Sequence, residues 1–446
     1  MISYIRQAPV PIDPILTHDT QQASESNAAF FGVAVFQNAL YSVCTRSSDH
    51  SIQIYRSQDM GATWQPLAAA GAPISTGGSG TATYNLAAGI VYIAYLVGSA
   101  PGNIEVVTFN LFTLTWGIPS AASSGTANSV RSIYFRPDGS LAVIYTRNAN
   151  APTSGVYADF LAIAGTWAGE IDAFTNITTL SGYNASTVSF NVPGPLSCMG
   201  ADGSIYVFCS FGTVFSPSGW INRVFYQRIT PSNTVPADSP GSFYDFPGQG
   251  AAGTQPIQGQ GIGKPCIAAG AYLILPVCAN ASPLLQFASL YYAPLLASEA
   301  TTWIATGQQI DPLEVVKYPT DSCAQIGPVI FDGSSLFVSY LGNGAGNVSE
   351  SSIKLSQAPY AGGLSGPLGL SWTTQLVWDA AISPNPNLIA TISFPSIQRF
   401  ASSILVQADG EVTSGGFTES AFWFGDWSVP RQVQITLRGV NRRQCD

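Results

Sequence analysis

Asp138-Gly139-Ser140-Leu141-Ala142-Val143-Ile144-Tyr145-Thr146 reads as a tight turn that runs straight into a strand. Gly139 supplies the positive φ a short hairpin turn needs, and the run LAVIYT has the β-branched and aromatic composition of a strand buried in a sheet. Asp202-Gly203 precedes a second such run at 205–210 (IYVFCS), and Asp332-Gly333 a third at 336–341 (LFVSYL). Similar runs stand at 40–45 (LYSVCT), 90–96 (IVYIAYL), 272–277 (YLILPV) and 404–407 (ILVQ). Their separations grow from about 50 residues early in the chain to about 65 later, one supersecondary unit plus a variable loop. The aspartates of these turns read as structural punctuation.

Each run follows an apolar alternating stretch, and several are followed by a third strand, as at 51–56 (SIQIYR), 104–110 (IEVVTFN), 156–163 (VYADFLAI) and 223–229 (RVFYQRI). A Trp after Thr or Ser then recurs at Thr63-Trp64, Thr115-Trp116, Thr166-Trp167, Thr302-Trp303 and Ser371-Trp372. One large ring per unit is what packing between neighbouring sheets demands. The pattern predicts an all-β chain forming a single β-propeller of four-stranded antiparallel blades. Seven blades are expected, with six as the alternative because the repeat at 403–410 lacks a nearby Thr-Trp. The propeller is assigned to 29–440, with 1–28 as an N-terminal segment whose residues 2–10 help close the ring against 433–438, and 441–446 as a tail.

Ser57-Gln58-Asp59-Met60-Gly61-Ala62-Thr63-Trp64 resembles the Asp box, S-x-D-x-G-x-T-W, of the sialidase-like (BNR-repeat) β-propeller superfamily. Ser57, Asp59, Gly61, Thr63 and Trp64 fill its five defining positions. The resemblance implies a rigid turn between third and fourth strands on the face opposite the active site, with a structural role. Asp59 would accept backbone hydrogen bonds, Gly61 permit the bend and Trp64 pack inward. The other units keep only the Thr-Trp tail.

Composition narrows the partners. Asp, Glu, Lys and Arg make up 9% of residues, against about 25% in an average soluble chain, and the net charge is -9. Nucleic acid is an unsuitable partner for so acidic a chain. The start, Met1 to Arg6, shows no apolar leader, so synthesis in the cytoplasm without a signal peptide is expected, with a virion as the destination. The uncharged stretch 265–298 is broken by Pro276, Asn280, Pro283, Gln286 and Pro294 and reads as buried strands, with no membrane insertion. Seven cysteines show no CxxC pair. Cys198 is expected opposite Val207, with Cys209 one pair further along, a diagonal that strains a disulfide. Free buried thiols, no metal site and no cofactor follow.

A sialidase-like enzyme would need an arginine clamp, a Tyr nucleophile with a Glu partner, and an Asp acid/base. The chain offers only Ile5-Arg6-Gln7-Ala8-Pro9 for the first arginine motif, and no Glu lies between Glu170 and Glu299. The two histidines, His18 and His50, have no evident triad partner. Candidate ligand-binding residues instead follow second strands: Arg46, Asp49, His50 and Arg147, with Trp220 in a loop over 211–220. The expected function is a non-catalytic structural and ligand-binding propeller of a virion tail or capsid, without glycosidase activity, contacting other proteins of the assembly or cell-surface glycans. The alternatives are a sialidase-like glycoside hydrolase with displaced catalytic residues and an intracellular scaffold propeller.

Overall fold

The computed structural model describes residues 30–45, 49–58, 65–67, 71–76, 80–98, 102–123, 127–147, 155–162, 165–173, 189–190, 196–215, 219–235, 263–282, 285–295, 304–309, 325–342, 352–360, 370–379, 388–400, 403–414 and 417–428. Among them every regular element is a strand, and the strands form seven antiparallel sheets in chain order. Sheet 1 comprises Phe30–Phe36, Ala39–Thr45, Ile52–Ser57 and Gln65–Pro66. Sheet 2 follows with Gly80–Asn85, Ile90–Val97, Asn103–Asn110 and Thr115–Trp116, plus Ser120–Ala121 on its third strand. Sheet 3 holds Ala127–Phe135, Leu141–Arg147, Gly155–Leu161 and Ile171–Asp172. In sheet 4, Ser189–Phe190 and Leu196–Met199 both pair with Ile205–Phe215, and Gly219–Ile229 completes it.

Sheet 5 contains Cys266–Ala268, Tyr272–Ser282, Leu285–Pro294 and Ile304–Gln309, and sheet 6 Gln325–Phe331, Ser335–Gly342, Ser352–Pro359 and Thr373–Asp379. Sheet 7 is Leu388–Phe400, Ser403–Ser414 and Phe417–Ser428. The inner strands of consecutive sheets, Leu196–Met199 serving for sheet 4, pack against one another all along the series. This is a propeller-like succession, and all seven second strands read from sequence are present. The segments assigned to ring closure, 2–10 and 433–438, lie outside the described residues.

Second strands read as near-continuous apolar runs because both of their faces are covered. Val91, Ile93 and Tyr95 join a core shared with sheet 1, whereas Ala94 and Leu96 join one shared with sheet 3. Further shared cores lie between sheets 3 and 4 and between sheets 5 and 6. The recurring Trp lines these seams: Trp116 packs in the first, Trp167 in the second and Trp372 in the last. Trp116 meets Phe109 edge-on at 4.8 Å. Trp116→Ala should cost about 2–4 kcal/mol, somewhat under the range for a wholly enclosed ring because Trp116 is half-buried. Urea unfolding checks this, and an unchanged midpoint would refute the seam role.

The Asp-Gly turns form as expected: Gly139 and Gly203 both take φ 85°. Asp138 Oδ1 accepts the Ser140 amide at 2.9 Å and hydroxyl at 2.6 Å, and Asp202 accepts the Ser204 amide on Oδ1 at 2.9 Å and the hydroxyl on Oδ2 at 2.7 Å. Two expectations need correction. Cys198 stands opposite Tyr206, and Ser197 opposite Val207, because the turn spans Gly200 to Ser204 and moves the register by one. Residues 211–220 are mostly strand, not loop. Phe211–Phe215 and Gly219–Trp220 continue the sheet 4 hairpin, with Val214 opposite Trp220, since the apolar alternation runs on to the tip.

Candidate functional site

The ends of the second strands in sheets 1, 2 and 3 are tied into one edge by hydrogen bonds. The Ser75 amide donates to the His50 carbonyl at 2.8 Å, and the Ser75 hydroxyl donates to the Leu96 carbonyl at 3.2 Å. Leu96 lies opposite Ile104, and the nearby Gly102 exchanges backbone hydrogen bonds with Ala127, which in turn stands opposite Arg147. His50 and Arg147, noted separately in the sequence, therefore sit on the same edge with sheet 2 between them.

Asp49-His50-Ser51 repeats the Asp-Gly-Ser turn with His50 in the glycine place. Asp49 Oδ1 accepts the Ser51 amide at 3.0 Å and hydroxyl at 2.6 Å, and His50 is held at φ 58°. That backbone region is uncommon for a side-chain-bearing residue. Asp49 thus serves its own turn, while the half-buried His50 places an imidazole where the matching turns carry a hydrogen.

Arg147 ends the second strand of sheet 3 and forms an ion pair with Glu170. The Tyr145 hydroxyl donates to the other oxygen of that carboxylate at 2.5 Å. Tyr145 is fully buried in the seam with sheet 2, and Arg147, two residues on, lies on the same face at the mouth of that seam. Sheet 2 has a matching pair, in which the buried Tyr95 donates to Glu105 Oε2 at 2.6 Å. Burial, then the Glu105 hydrogen bond, raises the Tyr95 pKa, so the phenol stays protonated as a donor. A Tyr-Glu pair therefore exists just before the Glu-free span. Tyr145 has no exposed surface from which to attack a sugar, so it orients Glu170 and, through it, Arg147.

Arg46 and four Asp-box residues, Asp59, Gly61, Thr63 and Trp64, lie outside the described residues. Ser57 is buried at the end of its strand opposite Leu40. Trp220 falls in sheet 4, near the tip of its long hairpin and opposite Val214. Among the described residues no group of three His, Cys, Asp or Glu side chains could hold a metal ion. No helix there is long and apolar enough to cross a membrane. Cys198 and Cys266 are free thiols, and burial pushes Cys198 up to about 12.

No protein-family model matches the sequence, and no curated protein matches it. Solved structures do share its fold. A polysaccharide lyase, a PL25 ulvan lyase bound to a repeat of glucuronic acid and 3-sulfated rhamnose, has a TM-score of 0.56 at 11% identity, over 90% of this chain and 93% of that one. The polysaccharide lyase Uly1 has a TM-score of 0.54 at 11% identity, over 94% and 97%. These overturn the expectation of a non-catalytic virion ring, since structures that share the fold from end to end are carbohydrate-cleaving enzymes. The likeness to the Asp-box superfamily rests on the strict match at Ser57 to Trp64 and on the Thr-Trp tails of the other units.

Proposed function

We propose that this chain is a carbohydrate-active propeller that cleaves an acidic polysaccharide, its seven sheets being the seven blades of one closed ring. The observation that carries the reading is the end-to-end likeness to ulvan lyases. The edge from His50 to Arg147 supplies suitable chemistry. Cleavage next to a uronate by elimination needs a cation against the carboxylate, a base for the neighbouring carbon-bound proton and an acid for the leaving oxygen. Arg147, held by Glu170 and Tyr145, is the carboxylate partner, and the His50 imidazole is the proton-transfer group. Arg46, Asp49 and Trp220 complete the proposed ligand-binding set.

The test is incubation of purified protein with ulvan and with other uronate polysaccharides. Elimination yields new reducing ends together with an ultraviolet-absorbing unsaturated uronate, whereas hydrolysis yields reducing ends alone. Both signals are expected. Reducing ends without the chromophore would transfer the assignment to a glycoside hydrolase, and neither signal from any acidic polysaccharide would defeat the proposal.

A further inference from the structure

Two further cations, Arg131 and Lys264, lie at the inner edges of sheets 3 and 5. The inner strand of sheet 3 pairs with the second strand of its own sheet, and among the described residues its other side carries only the bridge from Ala127 to Gly102. Its register slips between Val130 and Ser132, leaving Arg131 as the extra residue of a bulge, and Arg131 is exposed. Its neighbours are fixed on both sides. Val130 is buried in the seam with sheet 2, and Ser132 accepts a hydrogen bond from Ser197 of sheet 4 at 2.9 Å. Bulges re-aim side chains, and the extra residue of this one is an exposed arginine at the inner edge.

Lys264 stands two residues before the inner strand of sheet 5, with Pro265 between them. Its carbonyl accepts the Val329 amide of sheet 6 at 3.0 Å, and a Cβ on Gly263 would stand 1.8 Å from the Gly327 carbonyl oxygen. The backbone here is locked between two sheets, while the Lys264 side chain is exposed. The surrounding protein nevertheless withholds water from the ammonium and lowers its pKa, with the Cys198 thiol of sheet 4 acting the other way. The inner strand of sheet 4 packs against those of both sheet 3 and sheet 5, so the two cations flank it.

In a chain of net charge -9 with only 9% charged residues, exposed cations on both sides of one inner strand are conspicuous, because the whole molecule repels a polyanion and only a local field can recruit one. We infer that the inner edges of sheets 3 to 5 form a second contact for an acidic polysaccharide, in which Arg131 and Lys264 hold its oxyanion groups, sulfate or carboxylate. The inference rests on the polysaccharide reading above and adds residues that the His50 to Arg147 edge does not contain.

The test is affinity electrophoresis of wild type, Arg131→Ala, Lys264→Met and the double variant in dextran sulfate, polygalacturonate, ulvan and neutral pullulan, at two salt concentrations. Each single variant should weaken retardation by the acidic polymers about three- to fivefold and the double variant by roughly tenfold or more, with a shallower salt dependence and no change in pullulan. Arg131→Lys and Lys264→Arg should bind as wild type does, which separates charge from folding. Retardation by dextran sulfate alone assigns the site to sulfate, and by polygalacturonate alone to carboxylate. Variants that bind as tightly as wild type, or a wild type retarded by no acidic polymer, would overturn the inference. Charge-dependent binding without cleavage of ulvan would uphold this contact while removing the enzymatic reading.

Discussion

Arg136→Ala should destabilise the protein by about 3–5 kcal/mol, the largest effect expected of any described polar residue. Arg136 follows the inner strand of sheet 3 and is 2% exposed. Its Nε donates to the Gly203 carbonyl at 3.1 Å, Nη1 to Asn233 Oδ1 at 2.5 Å, and Nη2 to the carbonyls of Thr230 and Pro231 at 3.1 and 3.0 Å. The guanidinium also lies over the Phe160 ring at 5.1 Å. Burial lowers its pKa, and Asp138 and Asp202 partly offset that shift. Truncation would relieve the desolvation cost but strand four acceptors in the turns of sheet 4, and the stranded acceptors dominate. Arg136→Lys should recover only part of the loss, since one ammonium cannot serve a fork of four acceptors. Urea unfolding measures this, and a loss under about 1 kcal/mol would show that water replaces the guanidinium.

The contrast between Arg136 and the second strands indicates what a sequence discloses. Turn chemistry and two-sided burial are local, so Asp138-Gly139 and LAVIYT announced a hairpin, and the Thr-Trp repeats announced the seams. Arg136 stands beside Pro137-Asp138-Gly139 and looks like any turn-side charge. Its partners lie some 67 to 97 residues away and are assembled only when sheets 3 and 4 meet. Glu170 was visible as the last Glu before a long gap, yet its pairing with Tyr145 crosses the sheet from second strand to fourth. Arg131 gave no signal because a bulge is a matter of register. Trp220 was misplaced for the opposite reason: a Pro- and Gly-containing stretch resembled a long loop, while the alternation on either side continued the strands almost to the tip.

His50→Asn should lower the rate of polysaccharide cleavage by about 10²–10⁴-fold while leaving the unfolding midpoint nearly unchanged. The two halves of the prediction follow from the same turn. His50 occupies φ 58°, where Asn is well tolerated, and its backbone carbonyl keeps the Ser75 amide whatever the side chain. Asn thus preserves the turn made by Asp49 and Ser51, but it cannot take or give a proton. Arg147→Gln should act differently, weakening binding of uronate polymers more than turnover, because it removes the cation and leaves the Glu170 carboxylate, still held by Tyr145, facing the substrate. Kinetics on a soluble uronate polymer separate the two, with kcat falling for His50→Asn and KM rising for Arg147→Gln. Full turnover by His50→Asn would remove the imidazole from the reaction and transfer proton transfer to another group on the edge.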